Sequence, residues 1–157
     1  MNSYYENEYN NEEDEDELNV EGLINALNDE ENTSILELNT SKIKTIKNDL
    51  LQSIGLERDE LKKFHKKLKD YRYIEEPDYI NYGCFIRWIN LKKYDNLKLT
   101  NGGFVCNIEL TNNNNVLVGI TNNQKKFITI NMANSVIFQK LTNQEKILLK
   151  VMDYLTN

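Results

Sequence analysis

The sequence predicts an α+β protein: a helical hairpin, then a small antiparallel SH3-like β barrel and a C-terminal helix, behind a disordered acidic N-terminal arm. Three observations predict it. The first 33 residues hold twelve carboxylates and no lysine or arginine, so a chain of net charge −6 splits into a −12 arm and a +6 remainder. Apolar residues recur every three or four positions from Ser41 to Tyr71 and alternate beyond Tyr79, with the change at Pro77. A capping box, Thr142-Asn143-Gln144-Glu145, opens one more apolar stripe near the end. The expected divisions are 1–33 for the arm, 34–78 for the hairpin and 79–157 for the barrel with its helix.

In the arm, residues 1–16 set tyrosines among Asn, Glu and Asp, with too little aliphatic surface to offset about 1–2 kcal/mol of ordering entropy per residue. Leu18, Val20, Leu23, Ile24 and Leu27 add an apolar stripe, so 18–28 reads either as a short docking helix or as a frayed tail. In the hairpin, Ile43, Ile46, Leu50, Leu51 and Ile54 make one helical face, and Gly55 is a left-handed stop. A second helix over 57–71 carries Leu61, Phe64, Leu68 and Tyr71 on one side, acids in its first turn and lysines in its last, as the helix dipole favours.

Strands follow. Cys84, Ile86 and Trp88 alternate with Phe85, Arg87 and Ile89, and Phe104 to Leu110 alternates likewise. Asn101-Gly102 is the pair a type I′ hairpin between 97–100 and 103–105 requires. Asn112 to Asn115 and Asn122-Asn123-Gln124 supply further turns around 116–121 and 126–132, and Ala133-Asn134-Ser135 precedes a last strand, 136–140. Curling into a barrel would remove the sheet's free edges; a flatter sheet with helices on one face is the alternative. After the capping box, Ile147, Leu148, Val151, Met152 and Leu155 form the buried side of the final helix.

The chemistry on offer is sparse. His65 is the single histidine, so neither a histidine-based metal site nor a His-driven triad can be assembled, and no P-loop is present. No catalytic constellation, cofactor motif or metal motif is found, and the protein is expected to be non-enzymatic. Cys84 and Cys106 lie in alternating apolar runs and read as buried thiols of a reducing compartment. No apolar run reaches the roughly 20 residues that span a bilayer, so no membrane association is expected.

Two patterns point to partners. Leu50, Leu51, Ile54, Gly55, Leu56, Leu61 and Phe64 follow helix-turn-helix spacing, although Leu51 stands where a small residue is needed and a plain hairpin accounts for every one of them. The second pattern is basic: Lys62, Lys63, Lys66, Lys67, Lys69 and Arg72 crowd the second helix, and Arg87, Lys92, Lys93 and Lys98 follow in the β region, where 79–141 holds seven bases against two acids. With rings such as Tyr79, Tyr82 or Tyr94 for base stacking, these residues are candidate nucleic-acid contacts. A solvated lysine face balanced by the acidic arm explains them equally.

The stretches Tyr82-Gly83-Cys84-Phe85-Ile86-Arg87-Trp88-Ile89, Leu97-Lys98-Leu99-Thr100-Asn101-Gly102-Gly103 and Ile137-Phe138-Gln139-Lys140-Leu141-Thr142 resemble small proteins of giant nucleocytoplasmic DNA viruses, over about 60–155. Heavy use of Asn, Lys, Ile and Tyr suits an A·T-rich coding genome. The resemblance implies a virion or a viral factory in the host cytoplasm, and no activity. The expected function is therefore a non-enzymatic viral adaptor or structural protein that binds another protein. The alternative is a nucleic-acid-binding protein whose basic body is autoinhibited by its acidic arm.

Overall fold

The computed structural model describes residues 20–156. They form an α+β protein with a six-stranded antiparallel sheet and a C-terminal helix, in two compact units: residues 41–141, and residues 20–40 together with 142–156.

The larger unit begins with the helical hairpin, α2 (Thr40–Ser53) and α3 (Arg58–Lys67), separated by Gly55 at φ +83°. Six strands follow: β1 (Tyr71–Ile74), β2 (Phe85–Asn90), β3 (Gly103–Leu110), β4 (Val116–Thr121), β5 (Phe127–Asn131) and β6 (Ser135–Lys140). Their order across the sheet is β1-β6-β2-β3-β4-β5, and every pairing is antiparallel. The alternation of side chains produces two cores. On one face Ile74, Ile86, Trp88, Val105, Val118, Ile120, Ile130 and Ile137 cluster with Ile80. On the other, Tyr71, Ile89, Val136 and Phe138 pack against Leu51, Phe64 and Leu68 of the hairpin. The stripe that matches helix-turn-helix spacing thus serves to cover a sheet, and Leu51 is fully buried there.

The expected barrel does not close; the sheet is open. The cause is β1, a strand inside the region expected to be helix and boundary. Leu68 and Tyr71 are three apart and so continue the helical period, but Tyr71-Arg72-Tyr73-Ile74 is β-prone and pairs in full with β6. With β1 on that edge of β6, the outer strands are β1 and β5, and they do not pair with each other.

Asn101-Gly102 is not a hairpin turn. Leu99 bridges Ile89, and the Thr100 N–H donates to the Trp88 carbonyl, so 99–104 runs along β2. Between the Leu99–Ile89 bridge and the Gly103–Ile86 pair the register slips by one residue, a bulge that holds Gly102 at φ +89°. A Cβ there would clash with the Ile86 carbonyl oxygen.

In the smaller unit, residues 20–28 are helical (α1), a 3-10 segment spans Glu30–Glu37, and α4 covers Asn143–Thr156. The predicted capping box forms: Thr142 Oγ1 accepts from the Glu145 N–H at 3.1 Å, and Glu145 Oε1 accepts from the Thr142 N–H at 3.0 Å. Asn32 is buried and donates to the Ala26 carbonyl and Gln144 Oε1. Disorder expected over 1–33 is therefore corrected for 20–33, where Ala26 and Asn32 are buried. The apolar stripe is not what is buried: Val20, Ile24 and Leu27 are exposed, and the buried positions are Ala26, Asn32 and Ile35. Residues 1–19, where the expected disorder also falls, lie outside the described residues.

Replacing Gly102 by alanine adds both the positive-φ penalty and a backbone clash, so Gly102→Ala should destabilise the protein by about 2–3 kcal/mol in urea unfolding. Unchanged stability would mean that the bulge is not held as described.

Candidate nucleic-acid interface

The hairpin covers only part of its sheet face. Its core partners lie on β1, β6 and the end of β2, whereas β3, β4 and β5 carry no helix on that side among the described residues. Directly paired residues share a face, so the register fixes what is displayed. One row runs Phe85–Phe104–Thr121–Phe127 across β2 to β5. Phe85 and Phe104 meet edge to face at 5.1 Å between centroids. Phe104 is 51% exposed and Phe127 62% exposed, two strands apart and therefore roughly 10 Å from each other. The next row is Asn107–Gly119–Thr129. A Cβ on Gly119 would sit 2.8 Å from the Phe127 ring, so the missing side chain is the seat on which that ring lies.

Cys106 occupies a bulge between Val105 and Asn107 and is exposed, correcting the expectation of two buried thiols; Cys84 is half-buried, and neither forms a disulfide. The extra residue is pushed out of the alternation, which is why sequence alternation misplaced it. Thr121 Oγ1 lies 3.5 Å from Cys106 Sγ, which sets the thiol beside the aromatic row.

The expected basic residues separate into groups. Lys62, Lys63, Lys66, Lys67 and Lys69 are exposed on and just after α3, and Lys92, Lys93 and Lys98 are exposed in the β2–β3 connection near Tyr94. Arg87 is half-buried, with Nε donating to the Thr100 carbonyl at 2.8 Å. Arg72 is 3% exposed on β1 and offers nothing to a phosphate in solution. Lys125 and Lys126, in the β4–β5 turn immediately before Phe127, are exposed and lie two residues and one residue from that ring; of the ten residues expected from sequence only Arg87, two residues from Phe85, is as near along the chain to the aromatic row. Of the three rings expected to stack bases, Tyr82 and Tyr94 are well exposed and Tyr79 only marginally so. Phe104 and Phe127 were not singled out, because alternation alone cannot tell which half of a sheet face remains uncovered.

Beneath α3, Lys47 and His65 fasten the lysine-bearing helix. Lys47 is buried and donates through Nζ to the Leu68 carbonyl at 2.8 Å, the end of α3 where a cation is favoured. Burial lowers its pKa below the ordinary 10.5, with Lys44 adding to the effect and Asp70 opposing it. His65 Nε2 lies 3.0 Å from Asn48 Oδ1. Its pKa is lowered from 6.5 by burial and then by Lys47. His65 is thus a structural residue of the hairpin.

The charge distribution follows the compact units. Residues 41–141 hold 17 Lys and Arg against 10 Asp and Glu, a net +7, whereas residues 1–40 with 142–157 hold 2 against 15, a net −13. Among the described residues no cluster of three metal-binding side chains occurs, and no helix is long and apolar enough to cross a membrane. No family model, curated protein or solved structure matches the chain.

A base whose folded pKa is depressed resists protonation only while folded. The stabilisation attached to neutral His65 should therefore be complete above pH 6.5 and decline as pH falls through the lower folded value. NMR titration should place its midpoint below that of an unfolded peptide; a midpoint at or above 6.5 would contradict the packing described for α2 and α3.

Proposed function

We propose that this is a non-enzymatic protein that binds single-stranded nucleic acid on the bare half of its sheet. The observation that carries the reading is the Phe104–Thr121–Phe127 row, which leaves two phenylalanines open to water within a unit of net +7. Bases have apolar faces that stack on such rings whatever their sequence, for about 1–3 kcal/mol each, while lysines take the phosphates. Glu109 is the only carboxylate among the paired outward rows of β3 to β5, and Lys125 and Lys126 stand at one end. The lysines of α3 and of the β2–β3 connection extend the attractive field. The same proposal takes β2 to β6 as an opened SH3-like barrel. Its support is the connectivity: a meander through β5, a 3-10 turn at Met132–Asn134, and β6 returning beside β2.

The −13 of the smaller unit opposes any anionic ligand through its long-range field. This retains the inhibitory role of the acidic segment without assigning it a contact. A viral factory or virion, as the resemblance implies, is the proposed setting.

A second reading, the protein-binding viral adaptor, is favoured by β5. This strand pairs only with β4 and carries neither charge nor proline over Phe127–Asn131, so a partner's extended segment has an edge on which to add.

Fluorescence anisotropy with a labelled single-stranded oligonucleotide tests the first reading. Phe104→Ala and Phe127→Ala should each weaken binding by roughly 5- to 150-fold. Lys125→Glu with Lys126→Glu should flatten the dependence of log K on log salt by about 1.4 for two lost contacts. Bound oligonucleotide should also slow alkylation of Cys106. Absence of binding at ~50 mM salt, where phosphate contacts are strong, would refute this reading and leave the adaptor.

Deleting residues 2–17 removes eight carboxylates and leaves every described residue in place. Affinity should rise at low salt, and the gain should shrink as the Debye length falls. A gain that is unchanged between 50 mM and 500 mM salt, on the order of a tenfold range in ionic strength, would exclude a field effect.

A further inference from the structure

β5 ends the sheet, and among the described residues it pairs only with β4. The ladder fixes which of its backbone groups are spare. The Asn122 N–H donates to the Lys126 carbonyl, so that pair is a hydrogen-bonded one, and bonded and non-bonded pairs alternate along an antiparallel ladder. Ile128 and Ile130, opposite Ile120 and Val118, therefore turn their N–H and C=O groups to β4, and Phe127, Thr129 and Asn131 turn theirs to the open edge. The other side of β4 agrees. Its Asn115 carbonyl accepts from the Thr111 N–H, which by the same alternation assigns Leu117 and Gly119 to β3 and leaves Val118 and Ile120 for β5. The side chains sort into the same two sets: Ile128 and Ile130 join the core of Ile120 and Val118, whereas Phe127 and Thr129 are exposed on the bare face. Over its 5 residues the strand carries neither charge nor proline, two devices that commonly block pairing at an edge.

We propose that this edge pairs antiparallel with β5 of a second copy of the chain, with Thr129 on the two-fold axis. A β5 strand turned end for end presents the same outward groups, so Thr129 exchanges both bonds with its own counterpart and the Asn131 N–H reaches the Phe127 carbonyl of the second copy. The pleat is in phase as well. Ile128 then stands opposite Ile130 on the core face, and Thr129 opposite its counterpart on the bare face, both favourable cross-strand pairs. Moving the axis off Thr129 leaves one end of the strand unpaired. Charge selects the orientation: in a parallel pairing Lys125 and Lys126 of both copies would meet, whereas antiparallel they face the uncharged Met132 and Ala133. The two Lys126 side chains are then set apart by the length of the strand, roughly 20 Å, more than twice the ~8 Å Debye length at physiological salt. A contact related by a two-fold axis closes after two copies, so it covers this edge rather than extending it into a fibre. The bare halves of the two copies form one continuous face. Self-pairing does not depend on nucleic-acid binding, and it occupies the edge that the adaptor reading leaves to a foreign strand.

The test uses the full chain. Sedimentation equilibrium between about 10 and 500 µM should show monomer passing into dimer as concentration rises, because so short an edge falls below the ~1,000 Å² that marks a stable interface. Thr129→Pro removes an outward N–H and no bond to β4, so circular dichroism and urea unfolding should stay close to wild type while the dimer dissociation constant rises about tenfold or more. Thr129→Lys, which sets like charges opposite each other on the axis, should weaken the dimer likewise. Register is read by cross-linking in a Cys84→Ser, Cys106→Ser background. Thr129→Cys puts two thiols at a bonded pair with Cα atoms about 5.5 Å apart, within disulfide reach, whereas Asn131→Cys leaves them roughly 14 Å apart. Mild oxidation should link the first and not the second. A monomer throughout the concentration range, a dimer that both Thr129 variants leave intact, or equal cross-linking of the two cysteine variants overturns self-pairing at β5.

Discussion

The fold depends on the pairing of β6 on both of its edges. It is the one strand whose four consecutive residues Val136 to Gln139 are all buried, because its alternate side chains feed the two cores: Val136 and Phe138 toward the helical hairpin, Ile137 toward the opposite cluster. Pairing with β1 anchors the hairpin's C-terminal end to the sheet, and pairing with β2 joins the meander to it. With both edges of β6 taken, β1 and β5 are the terminal strands, and the sheet is open because they do not pair with each other. The hairpin leads directly into β1 and packs on the strands nearest to it, which leaves β3, β4 and β5 bare on that face. The exposed Phe104 and Phe127 are a consequence of where one four-residue strand inserts.

Much of this is legible in the residues, and the failures share a cause. Local signals hold: the Gly55 stop, the Thr142–Glu145 box, and the turns at Asn112 to Asn115, where Asn114 has positive φ, and at Asn122 to Gln124, where the positive φ falls on the next residue, Lys125. What fails is long-range pairing. Asn101-Gly102 has the composition of a hairpin turn, yet its neighbours find partners on β2, and the glycine's positive φ serves a bulge instead. Tyr71 fits both the helical and the strand period, and its partner on β6, Lys140, 69 residues along the chain, decides between them. The basic candidates were readable as composition, but Arg72 is spent in the interior because it belongs to that same strand. The open edge of β5 had no signal, since only its pairing with β4 decides which backbone groups face outward.

An uncovered aromatic row beside a free edge is a hazard, since unpaired strands template association. β5 itself carries no charge, and Lys125 and Lys126 stand directly before it. Lysines at the end of an edge strand repel a second copy added in parallel, which brings the same lysines to the same place. That protection requires only like charge, and like charge on the protein is opposite charge to a phosphate backbone. Under the proposed function the same two lysines would attract a polyanion, and the rings that would otherwise join sheet to sheet would stack on bases. A neutral peptide strand meets no such preference at this edge. This asymmetry, set by two lysines and two phenylalanines on one turn and one row, is the physical ground for placing nucleic acid ahead of a protein partner on the bare half of the sheet.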